Sequence, residues 1–90
     1  MANPSIVAIA SKSWVKVATA VKKGYIEVLK NTCQYGVTHR VTGDPAPTDL
    51  TESILIFVKG ERQVEIKSSE ATDVYIYNYS EIAGSVRVDV

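Results

Sequence analysis

The chain has one cysteine, Cys33, in 90 residues. No disulfide can close within it, and a four-cysteine metal site is excluded. Small extracellular domains are more often stapled by disulfides, so folding in a reducing cytoplasm is expected. There is also one histidine, His39. A nucleophile needs a base, and the base needs a group to orient it. His39 falls in a strand pattern beside Arg40, and nothing local ties it to Cys33, so both read as structural residues. Net charge is missing too, because ten basic and ten acidic residues cancel. A neutral chain has no electrostatic footprint for a phosphate backbone, which argues against nucleic acid as a partner. The longest early apolar run, residues 5–10, is too short to span a bilayer, so no membrane partner is expected. No charged region precedes that run, which argues against a signal peptide. The five glycines are scattered and form no phosphate cradle. Asp44 and Asp49 share a loop but lack the spacing and glycine of a calcium-binding EF-hand. Most of the other carboxylates, among them Glu27, Glu61, Glu65, Glu81 and Asp89, fall in turns or on outward strand positions. The expectation is therefore no enzyme, no cofactor and no metal.

What is present is alternation. Residues 73–90 contain two period-two runs around a short turn. In the first, Val74 and Ile76 oppose Tyr75, Tyr77 and Tyr79; in the second, Val86, Val88 and Val90 oppose Arg87 and Asp89. Side chains alternate across a strand, so the pattern predicts a half-buried β-hairpin tied into a sheet through its last residues.

Upstream, Met1 to Pro4 reads as a lead-in and Ile6 to Ala10 as a short strand ended by Ser11-Lys12-Ser13. Trp14 to Val21 is the next strand, with Val15, Val17 and Val21 toward the core and Trp14 at an edge or interface. Lys22-Lys23-Gly24 predicts a turn, with Gly24 at positive φ. Tyr25 to Lys30 and Gln34 to Thr42 follow as strands, and Gly36 suggests a bulge in the second. Gly43 to Thr51 is irregular: two prolines forbid a central strand, Thr48 or Asp49 suits the cap of one helical turn near 48–52, and Leu50 should tuck inward. Ile54 to Val58 is a continuous apolar run, consistent with a strand covered on both faces. After a turn at Lys59-Gly60-Glu61, Arg62 to Lys67 alternates with Val64 and Ile66 inward, and polar Ser68 to Thr72 leads to the closing hairpin.

The count is seven to eight mostly antiparallel strands with turn signals about every ten residues. That spacing predicts a single all-β domain over 1–90, a compact β-sandwich or flattened barrel. No stretch sustains an apolar period of 3.6 residues. A domain of this length buries only about two-thirds of the surface of its unfolded chain, so self-association is a common remedy.

The tyrosines are the most distinctive feature. Tyr75, Tyr77 and Tyr79 line one side of a strand whose other side is already apolar. Tyrosine suits an interface, since its ring buries a large area while its hydroxyl keeps a hydrogen bond. Trp14, Tyr75, Tyr77 and Tyr79 are the expected interface residues. Two other readings of the row are single rings on a wet sheet, adding cross-strand aromatic pairs, and a sugar-stacking surface.

Several stretches in order resemble a known group. They are Trp14-Val15-Lys16-Val17-Ala18-Thr19-Ala20-Val21, Gly24-Tyr25-Ile26, Thr42-Gly43-Asp44-Pro45-Ala46-Pro47-Thr48-Asp49-Leu50, Asp73-Val74-Tyr75-Ile76-Tyr77 and Gly84-Ser85-Val86-Arg87-Val88. Together they resemble the small virion-structural proteins of tailed bacteriophages, whether accessory, decoration or tail- and fibre-associated. The resemblance implies a non-catalytic β domain, made in the bacterial cytoplasm and located in the virion. Such proteins are often trimeric, and their partners are other phage structural proteins. The resemblance lies in fold-forming positions and carries over no functional residues. The expected function is self-association, with a trimer favoured over a dimer, and docking to a larger assembly. The alternative is a carbohydrate- or receptor-binding module of a fibre tip, which requires a groove with exposed tyrosine and Asn, Asp or Arg within reach.

Overall fold

The computed structural model describes residues 5–29, 34–48, 55–57 and 63–89, with backbone path alone for 55–57 and 64. Its described residues form strands β1 (Ser5–Ile9), β2 (Trp14–Val28), β3 (Tyr35–Val41), β4 (Leu55–Phe57), β5 (Gln63–Asn78) and β6 (Gly84–Asp89). They make one six-stranded sheet in the order β1-β6-β2-β5-β3-β4, and every pairing is antiparallel. The all-β expectation holds. The lead-in 1–4, Cys33, the turn at 59–61, the helical turn expected near 48–52 and the burial of Leu50 and of 54–58 lie outside the described residues, Thr48 excepted.

Two expected breaks are not breaks. Lys22-Lys23-Gly24 continues β2, and Ser68 to Thr72 continues β5, so four of the eight expected strands merge into two long ones. The two polar stretches lie against each other, with Val21 opposite Thr72 and Lys23 opposite Lys67. Register shifts between Lys16 and Ala18, Ala18 and Val21, and Val21 and Lys23 absorb the irregularity as bulges. Gly24 sits in the ladder opposite Ile66, rather than in a turn. Positive φ falls instead on Ala20 (+54°) in the bulged region, on Lys12 (+56°) after β1 and on Gly43 (+104°) after β3. The bulges also change the side-chain phase. Val15, Val17 and Val21 pack against the core as expected, but so does Ala18, and beyond the bulges even-numbered Ile26 and Val28 point inward. Gly36 marks no bulge: β3 runs in unbroken register along β5 from Tyr35 to Val41.

The closing hairpin is the larger correction. β5 and β6 are not paired with each other, because β2 lies between them. Both strands nevertheless carry the expected faces: Val74, Ile76, Val86 and Val88 are buried, while Arg87 and Asp89 are exposed. Alternation specifies which side faces inward and is indifferent to which neighbour supplies the ladder.

The long strands serve two halves of the sheet. The C-terminal part of β2 pairs with β6 and with the start of β5, and the N-terminal part of β2 pairs with the end of β5, which in turn pairs with β3. One cluster nevertheless takes Ile9, Ile26, Val28, Ile66, Val86 and Val88 from the first half and Ala18, Tyr35, Val37, Val74 and Ile76 from the second. The sheet therefore curls around a shared core. Asn78 fastens the curl: its Nδ2 donates to the Ile9 carbonyl at 3.2 Å and to the Ile82 carbonyl at 2.9 Å, and its Oδ1 accepts from the Ser80 N–H at 2.8 Å. It joins the ends of β1 and β5 to the crossing segment 79–83.

Candidate functional site

The four expected interface residues share the outward face of β2 and β5. Trp14 opens β2 directly opposite Tyr77, and Lys16 lies opposite Tyr75. The Trp14 and Tyr77 rings are 5.4 Å apart at 58°, and the Tyr77 and Tyr79 rings are 5.0 Å apart at 72°. Tilted and edge-on pairs of this kind contribute about 0.5–1.5 kcal/mol each beyond their burial. On the other flank of Tyr77 stands Gly36 of β3, which offers no side chain to crowd the ring. The Tyr79 N–H donates to the Gln34 carbonyl at 2.9 Å, holding the end of the row against the start of β3.

The row is not uniformly open. Trp14, Tyr77 and Tyr79 are half-buried, whereas Tyr75 is buried, with the Lys16 ammonium 5.7 Å from its ring centre. The chain thus covers part of the second face of β5 by itself, and residues 72–76 are buried on both sides. The Trp14 indole N–H and the Thr38 hydroxyl are buried and find no hydrogen-bond partner among the described residues.

At the Tyr75 end of the row, on the same face, lies a charged network that no local sequence pattern marks. Asp73 is buried; its Oδ1 accepts from the Ala20 N–H and the Thr42 hydroxyl, both at 3.0 Å, and Oδ2 lies 3.4 Å from Lys16 Nζ. Ala20 is the bulge residue at positive φ, so Asp73 fixes the bulge in β2 and ties it to the end of β3. The Ala20 N–H, the Thr42 hydroxyl and the Lys16 charge hold its carboxyl below the usual carboxylate range, with the Ala20 bond foremost and burial opposing them. His39 is half-buried on β3, and burial lowers its pKa. It stands opposite Val74, an ordinary strand position. Among the described residues no group of three His, Cys, Asp or Glu is placed to hold a metal.

Both shifts predict acid sensitivity. A folded-state pKa below the unfolded value means that the unfolded chain takes the proton first, so stability is full above the unfolded pKa and falls as pH drops toward the folded one. For His39 the decline begins near the ordinary imidazole value of 6.5, and for Asp73 near the ordinary carboxylate value of 3.8. Urea unfolding of the parent should therefore weaken in two stages. Asp73→Asn should remove the lower stage alone and His39→Gln the upper. A profile unchanged by Asp73→Asn would exclude Asp73 as a group held ionised by the fold.

A second feature lies on the other half of the sheet. Tyr25 and Glu27 of β2, Arg87 and Asp89 of β6 and Gln63 of β5 line a cleft of about 180 Å³. Ile6, Tyr25 and Leu29, three of the exposed large hydrophobic residues, also belong to this half. The sequence signal was faint: Tyr25 is a lone aromatic among charged neighbours, and its partners come from three distant segments. Asn78 was more visible, as a polar residue in the inward phase of Val74 and Ile76. No protein-family model matches the chain, and comparison with curated proteins and with solved structures finds no similar one.

Proposed function

We propose that the protein is a non-enzymatic structural subunit that binds copies of itself and docks onto a larger assembly. In this reading the curled sheet is a flattened two-layer barrel, whose 17 Å short axis accommodates layers about 10 Å apart. The resemblance of its strand stretches to small virion proteins of tailed phages supports a phage particle as that assembly, with a trimer favoured over a dimer.

One observation carries the reading. Trp14, Tyr77 and Tyr79 form a continuous ring-to-ring row, half-exposed, on the outward side of strands whose inward side is already in the core. Aromatic rings locked by their neighbours lose little rotamer freedom on contact, and such residues are enriched at interface centres. Zero net charge adds no repulsion between copies.

Native mass spectrometry and light scattering at micromolar concentration test it. The expected species is a multiple of the 9.8 kDa chain, with three copies favoured. Tyr77→Glu should weaken association by about 30-fold or more, corresponding to about 2 kcal/mol for a central aromatic contact. Tyr77→Phe, which keeps the ring, should have little effect. A chain that stays at 9.8 kDa on concentration overturns the reading.

A further inference from the structure

The geometry points to the Tyr25 cleft as a binding site for a neutral sugar ring, such as a terminal hexose. Five side chains from three strands converge there. Within the ladders, Asp89 stands across from Tyr25, and Arg87 and Gln63 stand across from Glu27 on its two sides. All five project from paired strands, so their spacing is set by the sheet and not by a loop.

The chemistry is that of a polyol. A pyranose has a C–H face and a girdle of hydroxyls, each able to donate and accept. The Tyr25 side of the cleft is an aromatic ring, and the residue is 45% exposed. Glu27 and Asp89 accept from hydroxyls, Arg87 donates in a fork, and Gln63 does both. The only ion pair among these residues, Arg87 to Glu27, is loose at 3.9 Å, and both side chains are open to solvent. Those groups can turn to a ligand without breaking a buried bond. A cleft of about 180 Å³ lies below the range of about 300–1,000 Å³ for drug-sized ligands, which limits the occupant to one ring. Two carboxylates against one guanidinium leave the cleft negative, which disfavours uronic, sialic and sulfated sugars.

The aromatic row lies on other parts of β2 and β5, so this inference goes beyond the self-association reading and does not depend on it. A single exposed ring implies weak binding, with Kd of about 1–50 mM. The test is an amide NMR titration of the whole chain with the methyl glycosides of glucose, galactose and mannose, and with glucuronate as the anionic probe. At least one neutral glycoside should give saturable shifts centred on Tyr25, Glu27, Arg87 and Asp89, with glucuronate at least tenfold weaker. Tyr25→Ala should abolish them, and the dispersion of its spectrum reports whether it is folded. Asp89→Asn, a change at an exposed side chain, should weaken binding at least fivefold and serves if Tyr25→Ala does not fold. The proposal is overturned by the absence of saturable shifts up to about 100 mM, by shifts that map elsewhere, or by binding that survives in a folded Tyr25→Ala or in Asp89→Asn. The mass of the sugar-free chain is unaffected by any of these outcomes.

Discussion

Asn78→Asp is expected to leave most of the protein unfolded at neutral pH and to regain part of the parent's stability as the pH is lowered. The amide is fully buried and gives both of its N–H donors to carbonyls, those of Ile9 and Ile82. A carboxylate of the same shape has no donor for either. It would place a negative charge against two carbonyl oxygens. An uncompensated buried charge costs about 3–5 kcal/mol, and each lost amide hydrogen bond adds about 0.5–1.5 kcal/mol. A chain of this length has a total stability of about 5–13 kcal/mol. Acidification protonates the new carboxyl and restores one donor, so the deficit relative to the parent should shrink. The parent itself weakens in acid through Asp73 and His39, so the comparison must be between variant and parent at each pH. Urea denaturation followed by circular dichroism at pH 7 and pH 4 provides it. A deficit under about 1 kcal/mol at pH 7, or one that does not shrink at pH 4, would show that the Asn78 bonds do not hold the curl.

The same residue separates what was readable in the sequence from what was not. The inward faces were legible because burial imposes a period of two that any neighbour preserves: Val74, Ile76, Val86 and Val88 are inside, as their alternation requires. Pairing was not legible. Segment 80–83 looks like a hairpin turn, but Asn78 bonds turn the chain toward Ile9, and β2 takes the place beside β6. The strand count missed for a related reason. Lysines, serines and a glycine mark ends when read locally, yet two such stretches laid side by side form a bulged, solvent-facing bend within continuous strands. The aromatic row survives these changes because Tyr75, Tyr77 and Tyr79 need only their own strand, and Trp14 meets them through the one ladder that joins β2 to β5. The Tyr25 cleft needs three strands in register at once, and no local pattern encodes that.

Ile76→Ala should be the most damaging simple truncation in the core, and its consequences should cross the whole sheet. Ile76 is fully buried at the middle of the second half, with Val15 opposite it on β2 and Val37 opposite it on β3. Its inward side meets the shared cluster that also holds Ile9, Ile26 and Val86. Removing three carbons there costs about 2–5 kcal/mol, and Ile76→Val about 0.5–1.5 kcal/mol. Ile6→Ala, at a side chain 72% exposed, should change stability by no more than about 0.5 kcal/mol. The graded series tests burial. The extent of the damage tests the curl. If both halves share one core, amide protection in Ile76→Ala must fall together at Val37 and Val74 in one half and at Ile26, Val28 and Val86 in the other, because neither half retains an apolar face it can bury alone. Protection that persisted around Ile26 and Val86 while Val37 and Val74 exchanged freely would mean two independently stable layers. The long strands would then be tethers between two cores and not the frame of one.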